Sequence, residues 1–463
     1  MNAAATSREL IEVEDLRIGM FIHLDMSWMS HPFPLGSFKI ANAEQIATIR
    51  SLGVQRVRWS PAQSDAPTET TGWGRGSDFD RLGATAEPAT SPAAPEAVLA
   101  PELSSEPVPE LVPTAQSVVD SPEFVARQRH KRALAEQRTA QLVCERQFAE
   151  AARDCKHLTE LVQQKPKDAR AQAEQLAKAL VDKMLVDQDM CIRLLSEAAG
   201  DKAAMHAMNV TVISLLMGRS FGLPAADMAD LGVGALLHDI GKLELPDRVR
   251  HRDDQFSGAE LRFYEEHVAQ GVGHARKMGL SPGATMVIAQ HHEHADGSGF
   301  PLRVNTDRMT PAARIVALVN RYDNLCNPHH AAKALTPHEA LSLLFAQGRA
   351  KFDTAVLGAF IRMMGVYPAG STVQLTDDRY AMVVSVNSSR PLKPRVLVHD
   401  AKVPRDEAVI VDLETSQGLG IRRSIKPLQM PLASLEYLAP RPRVAYFFEA
   451  AVASTLQADA VAA

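Results

Sequence analysis

Apolar and polar positions change their period several times along the chain. Near the start MFIHL (20–24) and VQRVRW (54–59) alternate, while NAEQIATIRSLG (42–53) carries apolar residues at helical spacing and closes on Gly53, a natural C-cap. Residues 1–61 therefore predict a small α+β domain, with Trp28, Phe33 and Phe38 in its core. Over 62–121 the pattern vanishes into Pro, Ala, Ser, Thr and Glu, as in AEPATSPAAPEAVLAPELSSEPVPELVP. So little apolar surface cannot offset the entropy of ordering, which predicts a disordered linker. Residues 122–164 and 168–198, rich in Ala, Glu, Gln, Arg and Leu and split at Pro166, predict two long helices forming a connector over 122–199.

From 200 to 366 the helical period persists, punctuated at FGLPAADM, SPGATM and MTPAAR, where Thr310 is a natural N-cap and Pro311 a natural first residue. Beyond GVYPAG the period shortens. STVQL, YAMVVSV and PRVLVHD are bounded by turn residues and predict a short β-rich C-terminal extension over 367–450, followed by a tail, 451–463.

Length agrees with several domains, since 463 residues exceed one ordinary core. A formal charge of −5 gives no general attraction to a nucleic acid polymer or an acidic membrane, so any polyanionic ligand must be met by a local site. Cys144, Cys155, Cys191 and Cys326 show no CxxC spacing, which argues against a thiolate zinc site and a disulfide framework. The N-terminus lacks a secretory pattern, and no run approaches the roughly 18 apolar residues of a membrane span, so a cytoplasmic protein without a span is expected.

Candidate chemistry lies in the helical segment. HHEHADGSGFP (291–301) sets two histidines side by side before a sharp turn. LGVGALLHDIGK ends an apolar helix on His238 and Asp239, with Lys242 close behind. His206 and His267 sit in two further helical stretches. Each histidine alone is more often a hydrogen-bonded core residue than a ligand. Together, five imidazoles and a carboxylate suit iron, manganese, zinc or nickel and do not suit calcium. Adjacent helical residues point about 100° apart, so the His291–His292 pair can serve two neighbouring ions, and Asp239, with two oxygens, is the natural bridge. A two-metal site follows.

HDIGK and, about fifty residues later, HHEHADGSGFP resemble an HD-GYP domain, with the family's Gly-Tyr-Pro appearing as Gly299, Phe300 and Pro301. The resemblance covers residues 200–366 or nearly so. VEDLRIGMFIHLDMSWMSHPFPLGSFKI is similar to a domain of unknown function that often precedes HD-GYP domains. The expected fold is thus multi-domain, the helical part being an all-α member of the HD superfamily. The resemblance implies a bacterial signalling enzyme that hydrolyses cyclic di-GMP to pGpG, with GMP from a second round, using two divalent ions, iron or manganese. It also implies His206, His238, Asp239, His267, His291, His292 and Asn320 as metal ligands and Asp239 and Lys242 as catalytic. Lys242, Gly299, Phe300 and Pro301 would meet the substrate. Two ions sharing Asp239 would share a water of lowered pKa, which attacks phosphorus while Lys242 stabilises the phosphate charge. Glu293 is a candidate to support a ligand imidazole.

The chain departs from the family in three places. IVALVNRYDN puts Asn320 where the last ligand is an aspartate, and Lys202 stands where trinuclear members carry a glutamate, so no third ion is expected. At the family's phosphate-binding arginines this chain has His329 and Ala332, with Lys333 one residue on. Three functions stay open on these residues: a cyclic di-GMP phosphodiesterase, a catalytically weak module that binds cyclic di-GMP or a GGDEF-domain partner, and a hydrolase of another phosphoester. A homodimer through the connector helices is a further expectation.

Overall fold

The computed structural model describes residues 9–24, 37–40, 42–61, 64–65, 122–185, 190–195 and 201–450. The expected linker beyond Asp65, the tail 451–463, Trp28 and Phe33 lie outside these residues. The chain divides into two compact units, one built from residues 1–23 and 39–127, the other from 24–38 and 128–463.

In the first unit β1 (Glu9–Glu12) and β2 (Phe21–His23) flank β4 (Arg56–Trp59), both antiparallel to it. With β3 (Ser37–Lys39) they make a four-stranded sheet ordered β1-β4-β2-β3. Helix α1 (Ala43–Ser51) starts at Asn42, whose side chain accepts from Gln45 N, and the chain leaves it through Gly53 at φ +71°. The α+β expectation holds. The unit also runs past residue 61, since Asp65 N donates to Gly19 O and Phe21 N to Ser64 Oγ.

α2 (Pro122–Leu161), which belongs to the second unit from residue 128 on, and α3 (Pro166–Met184) are the two connector helices. The second ends earlier than its composition predicts. Residues 190–194 form strand β5, whose MCIRL sequence is buried at four of five positions. Its partners lie far along the chain: β7 (Tyr380–Asn387) and β11 (Tyr446–Ala450), both antiparallel to it. They belong to a seven-stranded sheet with the path β10-β6-β7-β5-β11, where β6 is Thr372–Leu375 and β10 is Ile421–Ser424. Strand β8 (Arg395–Val398) pairs with β7 and with β9 (Val411–Asp412). The β-rich region is therefore no separate appendage. Its strands share one continuous core with the helices, for example through Phe148 of α2 against Phe447 of β11, ring centres 6.2 Å apart.

Between connector and sheet run α4 (Lys202–Ser220), α5 (Ala225–Leu237), α6 (Gly258–Met278), α7 (Pro282–Gln290), α8 (Pro311–Cys326), α9 (Pro337–Gln347) and α10 (Thr354–Met364). Thr310 caps α8 by accepting from Ala313 N, with Pro311 as first residue, as its sequence predicts. Ser257 and Glu260 make a capping box on α6, and Gly279 ends that helix in the left-handed conformation. A last short helix, α11 (Leu432–Leu438), follows β10. All four cysteines are free and buried. Among the described residues no helix is long and apolar enough to cross a membrane.

Candidate metal centre

Four helices deliver the histidines. His206 lies in the second turn of α4, His238 caps the C-terminus of α5, His267 sits mid-way along α6, and His291 and His292 follow the last turn of α7. Asp239 opens a 3₁₀ turn, Ile240–Glu244, that brings Lys242 back over it. That turn lies against α6 because residue 241 is glycine: a Cβ there would stand 1.9 Å from His267 O and 2.4 Å from Gly271 N.

The side chains meet around Asp239. Its Oδ2 is 3.5 Å from His206 Nε2 and 3.5 Å from His238 Nε2, while its Oδ1 is 3.5 Å from His291 Nε2 and 3.6 Å from His267 Nε2. Two overlapping groups result, His206–His238–Asp239 and Asp239–His267–His291–His292, each with one potential ligand atom per residue within 4.8 Å of the others. Within the groups His206 Nε2 is 3.2 Å from His238 Nε2, and His267 Nε2 is 3.3 Å from His291 Nε2.

The outer ring nitrogens fix the tautomers. Nδ1 of His238, His267 and His291 donates to the carbonyl three residues earlier, at Ala235 (2.7 Å), Tyr264 (2.6 Å) and Ile288 (2.8 Å). Their Nε2 atoms therefore turn lone pairs to the centre. Burial holds the His238 and His267 imidazoles neutral, down to about 3, against the attraction of Asp239. Burial holds His292 well below its usual range. Asp239 stays ionised: burial would raise it, but the Lys242 ammonium holds it well below the carboxylate range. Burial would also lower His206, yet Asp239 and Asp323 raise it to about 9.

Such a centre fits divalent cations. Two imidazole nitrogens on one ion, each about 2.1 Å from it at angles near 90–110°, lie about 3.0–3.4 Å apart, which brackets both nitrogen pairs. Asp239 Oδ1 and His292 Nε2 are buried with no hydrogen-bond partner, a costly arrangement for a protein without a ligand there. In this geometry Lys242 Nζ rests on Asp239 Oδ2 at 2.5 Å and 5.6 Å from the centre of the Tyr264 ring.

The turn after the histidines forms the wall. Phe300 stacks on His292, centroids 4.4 Å apart and 22° between planes, and meets Tyr264 and His267 edge-on. The peptide Phe300–Pro301 is cis. Gly299 leaves no room for a side chain, as a Cβ would lie 2.4 Å from His294 N. Glu293 does not support an imidazole as expected. It is fully buried, and its carboxylate accepts from the backbone N–H groups of Leu302, Arg303 and Val304 (2.7, 3.1 and 3.1 Å), pinning the segment after Pro301.

Asn320 is buried in α8, but its amide oxygen accepts from Asn324 Nδ2 at 2.6 Å and makes no hydrogen bond to the cluster. Lys202 is exposed at the start of α4. His274 packs internally, bonded to Glu244 at 2.8 Å. Lys333 is taken up by Asp254 at 3.0 Å, and His329 stacks on His251 at 4.1 Å.

Sequence reasoning missed two groups of residues. Asp323, one turn beyond Asn320 in the same motif, accepts from His206 Nδ1 at 2.6 Å. Lys351, Arg321 and Arg252 form the other group: the His294 imidazole is lowered by burial first and by their charges next. Burial and the charge of Arg252 also lower the Arg321 guanidinium, a sign of two cations held near each other. Their only signal in the sequence is the adjacency of Arg321 to Asn320.

Comparison with known proteins agrees with this architecture. Residues 188–356 match the HD domain family, and residues 9–179 match a domain of unknown function, DUF3391. A cyclic di-GMP phosphodiesterase of Pseudomonas aeruginosa is 27% identical over 419 residues, covering 86% of this chain and 88% of that protein. A cyclic di-GMP phosphodiesterase of Borreliella burgdorferi is 22% identical, covering 50% of this chain and 62% of that protein. A 3'3'-cGAMP-specific phosphodiesterase of Vibrio cholerae is 27% identical, covering 34% of this chain and 30% of that protein.

Proposed function

We propose, from the premise that this chain carries an HD domain behind a DUF3391 domain, that it is a metal-dependent phosphodiesterase that opens cyclic di-GMP to linear pGpG. The observation that carries the reading is Asp239, one carboxylate whose two oxygens each address a different pair of imidazoles. That arrangement supports two ions, with His206 and His238 on one, His267, His291 and His292 on the other, and Asp239 common to both. Divalent ions there would polarise a phosphate and supply a water of lowered pKa at neutral pH.

The chain's own residues do the rest. Asp239, ionised in its buried setting, would offer the ions the one negative charge of the cluster. Lys242 is the cation beside that carboxylate. It neutralises Asp239 in this geometry, and a phosphate arriving at the centre gives its ammonium a second anionic partner. Water adds to phosphorus, the P–O bond to the ribose 3'-oxygen breaks, and that oxygen leaves with a proton. Phe300, held over His292 by the Glu293-pinned turn, presents an apolar face at the mouth where a guanine can stack. A cyclic dinucleotide carries a second phosphate, which the cations Arg252, Arg321 and Lys351 would meet. They stand in for the arginines that His329 and Ala332 replace. Cyclic di-GMP is favoured over 3'3'-cGAMP because the P. aeruginosa relative aligns along most of this chain and the V. cholerae one along a third of it.

Asn320 favours a second reading, a domain that binds cyclic di-GMP without turning it over. Its amide brings no charge, and its oxygen is engaged by Asn324. Comparing wild type with His238→Ala and Asp239→Ala decides between the two. The enzyme reading expects pGpG from the first and none from the variants, whereas bound but intact cyclic di-GMP in all three supports the module.

A further inference from the structure

Of the four imidazoles that face Asp239, three fasten their outer nitrogen to a carbonyl of their own helix turn. His206 alone reaches elsewhere, to Asp323 Oδ2 at 2.6 Å. Asp323 is fully buried in α8 and is itself held by two amides: its Oδ1 accepts from Asn209 Nδ2 at 2.8 Å and from Asn327 Nδ2 at 2.9 Å. Each amide spends its second N–H on the same carbonyl, Val444 O, at 3.0 and 2.9 Å. Each amide oxygen then accepts from the backbone of the same segment, Asn327 from Val444 N at 2.8 Å and Asn209 from Tyr446 N at 2.9 Å. Both N–H groups and the oxygen of each carboxamide are thereby engaged, and only one orientation of each serves all its partners.

We infer that the C-terminal segment Val444–Tyr446 is a working part of the metal centre, which it grips through Asn209, Asn327 and Asp323 to orient His206. The inference rests on reading the histidine cluster as a two-ion centre. An imidazole whose Nδ1–H faces a fixed carboxylate is locked in one tautomer and made a stronger donor at Nε2. The effect is one-sided, because no member of the relay touches His267, His291 or His292 among the described residues. Asn209, Asp323 and Asn327 are positioning residues. The relay also gives the β-rich region a function, since entering β11 the chain passes directly through these four hydrogen bonds.

The test is a manganese titration of full-length protein, resolving the two ions by affinity against a competing chelator. Asn327→Ala and Asn209→Ala should weaken one ion about 10–100-fold and leave the other within about twofold. Asn327→Asp keeps the volume while removing both donors and setting a second carboxylate against Asp323, so it should do the same where an alanine variant folds poorly. Tyr322→Phe removes a hydroxyl that bonds Tyr446 Oη at 3.2 Å, outside the relay, and should leave both ions as in wild type. Equal loss at both sites, or wild-type affinity in every relay variant, would overturn the inference. Wild-type protein that binds no manganese at all would instead bring down the metal-centre reading, and this inference with it.

Discussion

His267 Nε2 lies 3.3 Å from His291 Nε2 while the Nδ1 of each ring is committed to a helix carbonyl, so the two Nε2 atoms are left facing one another in the buried centre. A shared cation relieves that contact. His206 and His238 bring a second pair of imidazole nitrogens together, 3.2 Å apart, on the other oxygen of Asp239.

Metal content should therefore fall in steps. Asp239→Asn removes the group common to both halves and is expected to lose both ions and more than about 100-fold in activity. His292→Ala touches one half only and should leave about one ion per chain. Elemental analysis of purified variants, read beside pGpG formation, checks both. Equal retention of two ions in Asp239→Asn would contradict the shared-carboxylate arrangement.

Restoring the missing carboxylate should strengthen the site. Asn320→Asp is expected to raise metal affinity about tenfold or more, since a charged oxygen replaces a neutral one, and to raise kcat with it. If both stay at wild-type values in metal titrations and steady-state kinetics, residue 320 is no ligand and its amide belongs to Asn324.

The cations at the rim should act on substrate capture. Arg321→Ala and Arg252→Ala are each expected to raise KM for cyclic di-GMP about tenfold with kcat within about threefold, and the double variant should depend less on ionic strength. Unchanged KM in both would assign the second phosphate to other residues.

Two glycines in α6 and its neighbouring turn should respond in opposite ways. Gly241→Ala forces a Cβ against His267 O and is expected to cost about 1–3 kcal/mol or more, with loss of metal because the 238–242 turn must move. Gly273→Ala adds a methyl where nothing lies within 4 Å and should stabilise by about 0.5–1 kcal/mol. Denaturant titration of both variants measures the contrast.

The side-chain cluster around Asp239 was legible in the sequence because its members sit in short motifs whose spacing survives folding: HDIGK brings His238, Asp239 and Lys242 together by one helix end, and His291–His292 by the next. What supports them was not. Asp323 acquires its role only when residues 206, 209, 327 and 444 meet, and no local pattern encodes that meeting. Strand β5 was lost to the helical composition around it, since its partners Tyr446–Ala450 lie some 250 residues away and burial by the sheet overrides local propensity. Glu293 looked like a partner for an imidazole from its place beside His292. The backbone of Leu302–Val304, folded back by the Gly299 turn, took it instead.

The most direct measurement incubates full-length protein, purified anaerobically and loaded with iron or manganese, with cyclic di-GMP and separately with 3'3'-cGAMP, and follows the products by chromatography. The account predicts pGpG from cyclic di-GMP, abolished by chelation and restored by the metal, at a higher kcat/KM than for 3'3'-cGAMP. Cyclic di-GMP left intact by protein carrying its full metal complement would contradict it.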